Sequence, residues 1–313
     1  MKITLIVGEM IPVVGYGGTG RQVQWLAREL VRLGHRVTIL APAGSSHPFC
    51  EVRGVRKASE VAGLVPPDSD IVHRHGWFDE DMPFKILNTG HSGSRTVNCE
   101  RGNWNFVSRR HAESHGRVTF VYNGFPVDEY HLSPKTDRLL FLAGFARPDK
   151  GLARAMDLAE RFDFKLDLAG GRRVDMLARS TNRRNRLFLK SFSSRYRIHG
   201  SVDGPVKVKL LGSARAFLNP ISIEEAFGMA PVEAMLCGTP VLSTPWGALP
   251  ETVSAESGRL FETDDQFAEA LEEVASLKPE NIRQYAADRF PISATAAGYL
   301  ELYQRVIDGE PLA

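Results

Sequence analysis

The chain has 313 residues, 43% of them hydrophobic and 24% charged, and its formal net charge at pH 7 is +2. That length exceeds one average domain and the composition is typical of a soluble globular protein, so two α/β domains are the first expectation. The small net charge excludes a global field that would make nucleic acid or an anionic membrane the main partner. No apolar stretch approaches the roughly 18 residues of a membrane span, and we expect a cytoplasmic protein.

The three cysteines give no evidence of a metal or redox site. Cys50, Cys99 and Cys237 are far apart in the sequence. They have neither the spacing of metal ligands nor that of a redox pair. We therefore interpret them as isolated thiols, and we expect no metal.

The first part of the chain predicts a parallel α/β domain. Ile3 to Val7 is a short apolar run, a Gly-rich loop follows it, and Arg21 to Leu33 has apolar side chains at helical spacing. Val37 to Leu40 reads as a second strand, which closes a βαβ unit and implies a parallel sheet. Further parallel strands are predicted at Ile71–Val72, Ile86–Leu87, Phe106–Val107 and Val118–Tyr122.

A second α/β series follows the stretch from Gly124 to Asp137, which has two prolines and no periodicity and is interpreted as a linker. Helices are predicted at residues 152–162 and 231–237. Predicted strands are Leu139–Ala143, Lys165–Ala169, Tyr196–His199, Ala216–Asn219 and Val241–Ser243. The fold class is thus α/β, with two Rossmann-like, doubly wound parallel-sheet domains facing a cleft. The predicted domains are residues 1–123 and 138–293, with a C-terminal helix at 294–309 that packs back on the first.

The most informative stretch runs from Pro220 to Glu251 and contains two carboxylates around a strand–loop–helix junction. Glu225 precedes the predicted helix and Glu233 lies just inside it, so both can face the sheet edge where ligands bind in open α/β folds. The backbone of Phe227, Gly228 and Met229 can approach a diphosphate at the helix N-terminus. A carboxylate suits the hydroxyl groups of a sugar or ribose, and the alternative is an acid that merely favours the helix dipole.

This stretch resembles the retaining glycosyltransferases of family four (glycosyl transferases group 1), which share the GT-B fold. The shared pattern is Glu225, Phe227, Gly228, Glu233-Ala234-Met235, Gly238-Thr239-Pro240 and Pro250-Glu251. By this resemblance, Glu225 would hold the transferred sugar and Glu233 the ribose of the nucleoside. Retention of configuration at the anomeric carbon is likewise implied by the resemblance alone.

Other stretches are similar to the same family over nearly the whole chain. The loop with Gly17 and Gly18 resembles the one whose backbone lies against the donor phosphates. After the first strand of the second domain, the family has a basic pair that clamps the diphosphate. Lys150 matches one member of this pair, but Phe145 replaces the usual arginine. Arg147, two positions later, is either a substitute for it or a solvated side chain.

Histidines follow two strands of the first domain. His91 matches the family's histidine that approaches the donor sugar, and a neutral imidazole there can hydrogen-bond a hydroxyl group. His73 and His75, at the end of a neighbouring strand, are rival candidates for this position. The alternative interpretation is that each of the three is an ordinary loop or strand histidine without a role in the site.

The stretch from Arg172 to Arg197 is locally cationic, with eight arginines and one lysine against a single acid, Asp175. Its ordinary interpretation is a set of solvated helix faces. The alternatives are a surface for an anionic acceptor or a weak peripheral contact with an acidic membrane.

Parts of the sequence are also compatible with three other functions. Gly15, Gly17 and Gly20 have the G-x-G-x-x-G spacing of a nicotinamide-dependent oxidoreductase. However, Glu9 to Val14 intervene between the strand and the first glycine, and the expected acid is missing after Leu40. A non-catalytic relative that binds a nucleotide or sugar is favoured by Phe145. A phosphorylase or epimerase on the same fold also stays open, because fold does not fix function.

The sequence therefore predicts a retaining, metal-independent glycosyltransferase that moves a sugar from a nucleoside diphosphate sugar to an unknown acceptor. The resemblance to family four implies a uridine diphosphate (UDP) sugar as the donor and co-substrate, and no cofactor is expected. Lys150, Arg147 and backbone N–H groups would stabilise the leaving diphosphate. We expect the donor on the second domain and the acceptor, a saccharide, a lipid-linked sugar or a small molecule, on the first. Nucleic acid is not an expected partner.

Overall fold

The computed structural model describes residues 1–15, 17–76, 82–92, 99, 102–180, 182 and 185–312. The chain divides into two compact units, one made of Met1–Pro126 with Phe290–Ala313 and the other of Val127–Arg289. The stretch interpreted as a linker, residues 124–137, begins in the first unit and ends in the second. Gly124 and Phe125 are buried, so the chain leaves the first unit only after them.

Each unit contains a sheet of six strands, and all the pairings between these strands are parallel. The strands of the first unit are β1 Lys2–Val7, β2 Arg36–Pro42, β3 Glu51–Val55, β4 Ile71–His75, β5 Ile86–Gly90 and β6 Asn103–Phe106. Those of the second are β7 Arg138–Leu142, β8 Lys165–Ala169, β9 Tyr196–Gly200, β10 Phe217–Asn219, β11 Val241–Ser243 and β12 Gly258–Leu260. The strand orders are β3-β2-β1-β4-β5-β6 and β12-β11-β10-β7-β8-β9, which are the same Rossmann order.

Helices connect these strands. The described helices are α1 Gly18–Arg32, α2 Val61–Leu64, α3 Arg109–Ser114, α4 Leu152–Arg161, α5 Leu187–Lys190, α6 Gly204–Ser213, α7 Met229–Leu236, α8 Leu249–Thr252, α9 Asp264–Glu273, α10 Pro279–Arg289 and α11 Ile292–Ile307. In the described ranges, no helix combines the length and the apolar character needed to cross a bilayer. The three cysteines are free thiols.

Most predicted strands are present, and the exceptions have simple causes. Two edge strands, β3 and β12, were not predicted, because the sequences EVRGV and GRL contain no apolar run. The predicted strand Val118–Tyr122 is wrong, since this segment makes only a single bridge, from Phe120 to Phe106. Val118 there is exposed rather than buried.

The core of the first unit joins the two ends of the chain. Val23, Leu26 and Leu30 on α1 are buried in one cluster with Tyr299 and Tyr303 on α11. Where the chain turns into α11, the backbone N–H of Phe125 donates to the carbonyl of Phe290 (2.9 Å), and that of Ile292 donates to the carbonyl of Phe125 (2.9 Å). The last helix is therefore part of the first unit's core.

Gly124 lies at the most crowded point of this junction. Its N–H donates to the side-chain oxygen of Gln22 on α1 (3.1 Å), and its carbonyl accepts from the side-chain nitrogen of the same residue (2.9 Å). A Cβ here would lie 2.2 Å from Oγ1 of Thr295 and 2.7 Å from Cα of Ile292. Only glycine fits between α1 and the start of α11.

We expect Gly124→Ala to loosen the attachment of α11. Relieving the clash means moving backbone, and such overpacking costs roughly 1–3 kcal/mol of stability. Hydrogen exchange should show faster exchange of the α11 amides in this variant. The control is Gly63→Ala on α2, where a Cβ meets nothing within 4 Å. Unchanged exchange in α11 for both variants would contradict this account of the junction.

Candidate functional site

Two loops of the second unit meet where the strand order of its sheet reverses. β10 pairs with β7 on one side and with β11 on the other, although β7 is much earlier in the sequence. Lys150 is in the loop after β7 and Glu225 is in the loop after β10. In open α/β sheets, ligands bind beyond the carboxyl ends of the strands at such a reversal.

Backbone contacts hold these two loops together. The N–H of Ser222 donates to the carbonyl of Asp149 (2.9 Å). Gly151 has a φ of +83°, and a Cβ there would lie 2.0 Å from the carbonyl oxygen of Pro220. The loop that contains Lys150 is therefore packed directly against the start of the loop that contains Glu225.

An ion pair connects two of the predicted donor-site residues, Lys150 and Glu225. Nζ of Lys150 lies 2.5 Å from Oε2 of Glu225, and the side chains are 13% and 22% exposed. This partial burial strengthens the attraction compared with a surface pair but leaves both groups within reach of a ligand. An ammonium group can bind a diphosphate, and a carboxylate can accept hydrogen bonds from sugar hydroxyls.

A third loop, after β11, fixes the backbone of Glu225. The N–H of Ala248 donates to the carbonyl of Glu225 (2.8 Å). Gly247 has a φ of +61°, and a Cβ there would lie 2.2 Å from the carbonyl oxygen of Glu225 and 2.3 Å from its nitrogen. Three loops from neighbouring strands thus determine where this carboxylate stands.

The start of α7 lies beside the same carboxylate. Gly228 is its N-cap, has a φ of +92° and offers no side-chain cap to the first turn. A Cβ at Gly228 would lie 3.9 Å from Cγ of Glu225, which places that side chain close to the helix N-terminus. Met229 is the first helical residue, and the preceding Phe227 is buried. The positive end of α7 therefore faces the region of the Lys150–Glu225 pair.

Glu233, the second predicted acid, lies deeper than its sequence position suggests. Its side chain is buried on α7, and Oε1 accepts from Nζ of Lys207 (2.5 Å) and from the hydroxyl of Tyr130 (3.0 Å). Burial, with Glu233 beside it, raises the pKa of Tyr130 well above its usual range, so this hydroxyl stays a donor. Lys207 and Tyr130 were missed from the sequence, where nothing marks a lysine of α6 as facing inward.

In the first unit, a carboxylate of the chain lies at the N-terminus of α1. Gly17 is the N-cap, Gly18 is the first helical residue, and the N–H of Gly20 donates to Oε2 of Glu9 (2.8 Å). A Cβ at Gly17 or Gly20 would lie within 3 Å of the same Oε2 atom. The glycines therefore make room for Glu9, and a phosphate approaching this helix end would meet its negative charge.

The three candidate histidines differ in their surroundings. His73 on β4 is buried and bonded at both ring nitrogens, to the hydroxyls of Tyr303 (2.7 Å) and Thr89 (2.7 Å). His75 ends β4, and its Nδ1 lies 3.0 Å from Nε2 of His91, which follows β5. Nε2 of His75 is buried without a hydrogen-bond partner in the described part of the chain. His73 thus has a structural role, whereas His75 and His91 form a pair at the carboxyl ends of two neighbouring strands.

These imidazoles are neutral at pH 7. Desolvation lowers the pKa of His73 and His75 well below the usual value. It lowers the pKa of His91 to about 3 and that of His111, on α3, to about 4. Neighbouring imidazoles lower these pKa values further, because a positive charge on one ring repels a positive charge on the next. His91 can therefore act as a neutral hydrogen-bonding group but not as a cation.

Within the described residues, no group of three or more His, Cys, Asp or Glu side chains could hold a metal ion. The sequence contains Asp-x-Asp at Asp68–Asp70 and Asp79–Asp81. In the first of these, Asp68 pairs with Nζ of Lys2 (2.8 Å) and Asp70 accepts from the N–H of Lys2 (2.6 Å). Asp79, Glu80 and Asp81 lie outside the described residues.

One comparison with known proteins covers the part of the chain that contains these residues. A family model described as glycosyl transferases group 1 matches residues 136–276, which include Lys150, Glu225 and Glu233. Residues 136–276 therefore form a group 1 glycosyl transferase domain. The family predicted from the sequence is confirmed.

Relatives extend the likeness to the rest of the chain. Phosphatidyl-myo-inositol mannosyltransferase of Mycobacterium tuberculosis is 27% identical over 210 residues, which are 59% of this chain and 53% of that protein. The match thus spans about half the length of this relative. AviGT4, a glycosyltransferase involved in avilamycin A biosynthesis, is 25% identical, and the comparison covers 98% of both chains with a TM-score of 0.83. Anabaena HepE in complex with UDP and glucose is 16% identical over 97% of this chain and 99% of its own, with a TM-score of 0.74. The predicted α/β fold of two Rossmann-like domains is confirmed.

The group 1 domain departs from the family pattern at its basic pair. Phe145 is buried in the core of the unit, where a Cβ on Gly171 would lie 2.9 Å from its ring, so this position offers no charge to a ligand. Arg147 is half exposed, and its guanidinium contacts both carboxylate oxygens of Asp149, at 2.9 and 2.5 Å. The guanidinium holds the pKa of Asp149 below its usual range. Arg147 would have to exchange Asp149 for a diphosphate in order to bind one.

We expect Gly247→Ala to be far more damaging than Gly204→Ala, because only the former disturbs Glu225. Both glycines have positive φ, +61° and +53°, but a Cβ at Gly204 meets nothing within 4 Å. The left-handed conformation costs each alanine about 1–2 kcal/mol, and the clash at Gly247 adds roughly 1–3 kcal/mol. Urea unfolding of the two variants measures the difference. Equal losses would mean that the third loop does not press on Glu225.

The buried histidines predict that stability falls in acid. Their folded pKa values lie below the value of about 6.5 expected in an unfolded chain, so unfolding takes up protons below that pH. The free energy of unfolding should be unaffected by these groups above about pH 7 and decrease as the pH falls from about 6.5 towards 4. Urea unfolding between pH 7.5 and 5 tests this. His111→Gln should flatten the dependence, whereas His131→Gln, at an exposed site of the other unit, is the control. A dependence identical in wild type and His111→Gln would exclude His111 as a contributor.

Proposed function

We propose that the protein is a glycosyltransferase that takes a sugar from a nucleoside diphosphate sugar held by its second unit. The observation that carries this proposal is the Lys150–Glu225 pair at the reversal of the strand order. It combines a cation for the diphosphate with a carboxylate for hydroxyl groups, on loops that backbone contacts hold in place. The match to group 1 glycosyl transferases supports the same activity.

Each group of the pair has a separate task in this proposal. Glu225 accepts hydrogen bonds from hydroxyls of the transferred sugar, which orients the anomeric carbon. Lys150 and the backbone N–H groups at the start of α7 face the diphosphate and stabilise the negative charge that develops on it as the glycosidic bond breaks. The enzyme therefore needs no metal to stabilise its leaving group, and we propose transfer with retention of configuration.

Glu233 has a supporting place in the same site. Because Lys207 and Tyr130 both donate to Oε1, the other carboxylate oxygen is the atom that would accept the ribose hydroxyls. The ammonium of Lys207 keeps the carboxylate ionised in its buried position. In the first unit, we propose that His91 hydrogen-bonds the donor sugar as a neutral imidazole.

UDP is the nucleotide we propose for the donor. HepE, which has the same fold, was crystallised with UDP and glucose. For the acceptor we propose only a chemical class, a saccharide, a lipid-linked sugar or a small molecule that bears a hydroxyl group. The mycobacterial relative is named for mannosyl transfer to a phosphatidyl-inositol.

The competing function is a relative that binds a nucleotide or sugar without transferring it. Two observations favour it: Phe145 removes one charge of the family's clamp, and Asp149 neutralises the nearest arginine. Of the two basic positions after β7, Lys150 would then remain for the diphosphate, and it is already paired with Glu225.

One assay separates the two functions. The protein is incubated with a panel of UDP-, GDP- and ADP-sugars, with and without candidate acceptors, and release of the nucleoside diphosphate is measured alongside binding of each nucleotide by calorimetry. Binding with acceptor-dependent release supports the transferase. Binding of a nucleotide without release from any sugar under any condition supports the non-catalytic function.

We expect Glu225→Gln and Glu233→Gln to separate turnover from binding. Gln keeps the size of each side chain but removes the charge that Lys150 or Lys207 faces. Glu225→Gln should reduce turnover on the order of 100-fold or more, with a much smaller change in nucleotide affinity, since its contact is with the transferred sugar. Glu233→Gln should weaken nucleotide binding about tenfold, the effect of one charge-assisted hydrogen bond.

The control is Glu256→Gln, because Glu256 is an exposed acid of the same unit just before β12. In a parallel sheet, the start of a strand lies at the edge opposite to the one where these loops meet. Thermal unfolding of each variant confirms that it is folded. If both site variants bound and turned over donor like the control, neither acid would belong to a donor site.

A further inference from the structure

Exposed apolar side chains are concentrated on one part of the second unit. Val174, Leu177, Leu189 and Phe192 are each between 40% and 64% exposed, although they lie within 19 residues of sequence. The first two are on the helical turn Arg173–Leu177, and the others are on α5 and directly after it. We call these four residues together with Arg172, Arg173, Arg179 and Arg186 the 172–192 face. Thr181, Arg183 and Arg184 lie outside the described residues.

Contacts between the two segments make this a single surface. Nη2 of Arg173 donates to the carbonyl of Ser191 (3.3 Å), and its guanidinium stands 4.8 Å from the ring centroid of Phe192. The ring of Phe192 also meets that of Phe188 edge-on, with centroids 5.3 Å apart. The exposed aromatic ring is therefore held in place beside the turn that contains Val174 and Leu177.

The charge of the face is positive and not neutralised. Arg172, Arg179 and Arg186 are exposed, and among the described residues no carboxylate pairs with their guanidinium groups. Nε of Arg179 donates to the carbonyl of Ala146 (3.2 Å). Asp175, the single acid from 172 to 197, accepts instead from the backbone N–H of Arg172 (2.6 Å). Lys190 differs, because Asp157 and Glu160 both bind its ammonium at 2.8 Å.

We propose that the 172–192 face docks the second unit on the surface of an anionic lipid bilayer. Exposed apolar side chains on a surface with exposed arginines match the boundary between headgroups and acyl chains of a bilayer. The apolar side chains would insert there, and the arginines would bind lipid phosphates. A guanidinium fits a phosphate through two parallel hydrogen bonds. The docking is peripheral and reversible, and it requires no segment that crosses the bilayer.

The charge complementarity favours lipid over a second copy of this chain. A self-associating patch would place the arginines of one copy against those of the other, and like charges brought together repel. An anionic bilayer satisfies both parts of the face at once, since its surface is negative and its interior apolar.

Co-sedimentation of the full-length protein with vesicles tests the proposal. Vesicles of pure phosphatidylcholine are compared with vesicles containing phosphatidylglycerol, at low and high salt. Wild-type protein should bind the anionic vesicles at low salt at least tenfold more strongly than the neutral ones, and lose most of that binding at high salt. No nucleotide or sugar is added, so the result does not depend on the proposed enzymatic activity.

Two double variants examine the two parts of the face. The double variant Arg179→Gln with Arg186→Gln should weaken binding to anionic vesicles roughly tenfold. Each basic residue near the bilayer contributes about fivefold in affinity, so two contribute at most about 25-fold. Leu189→Ser with Phe192→Ser should also weaken it about tenfold or more, because both side chains lose their insertion. Arg215→Gln and Val206→Ser are the matched controls, an exposed arginine and an exposed apolar residue elsewhere in the same unit.

Several results would overturn the proposal. They are no binding to anionic vesicles, equal binding to both kinds of vesicle, or equal effects of the face variants and the controls. Sedimentation velocity without vesicles tests the alternative that a second copy of the chain binds this face. A dimer that the face variants abolish would assign this surface to a second copy of the chain. Retained nucleotide binding in all variants shows that the donor site is intact in each of them.

Discussion

The ion pair between Lys150 and Glu225 joins two loops that lie 75 residues apart in the sequence. What brings them together is the strand order of the second sheet, in which β10 pairs with β7. The strands of a parallel sheet all run in the same direction, so their carboxyl ends lie at one edge of the sheet. The loops that follow β7 and β10 therefore meet at that edge. The site therefore follows from the topology, and the side chains need only the right positions on the loops.

Close backbone packing then fixes the positions of these loops more closely than the strand order alone does. Gly151 allows its loop to touch the carbonyl of Pro220, and Gly247 allows the loop after β11 to touch the backbone of Glu225. Gly170, with a φ of +113°, packs in the same way against Ala143 after β7. A rigid set of loops suits a site that must stabilise developing charge, because prearranged groups need no reorganisation when the charge appears.

The sequence was sufficient for the elements whose signal is local. Buried strands such as β7 and β11 appear as short apolar runs, and the motif around Glu225 is identified by its resemblance to family four. The edge strands β3 and β12 lacked that signal, since an edge strand is only half buried and tolerates charged residues. The burial of Glu233 could not be predicted either, because it depends on Lys207 and Tyr130, which come from distant parts of the chain. Contacts between distant residues leave no periodic trace in one sequence.

The two carboxylate–lysine pairs of this unit are chemically alike, but their burial gives them different capacities. Glu233 and Lys207 are both almost fully buried, so separating them would leave an uncompensated charge in a medium of low dielectric constant. That pair is therefore fixed, and it can only present an oxygen that is already oriented.

Lys150 and Glu225 retain contact with solvent, which lowers the cost of exchanging each other for a ligand's phosphate and hydroxyl groups. A ligand that carries both kinds of group replaces the attraction between the two side chains with two new ones, whereas a ligand with phosphate alone would leave the carboxylate close to a second negative charge. In the proposed donor site, the open pair would therefore favour a sugar phosphate over free phosphate.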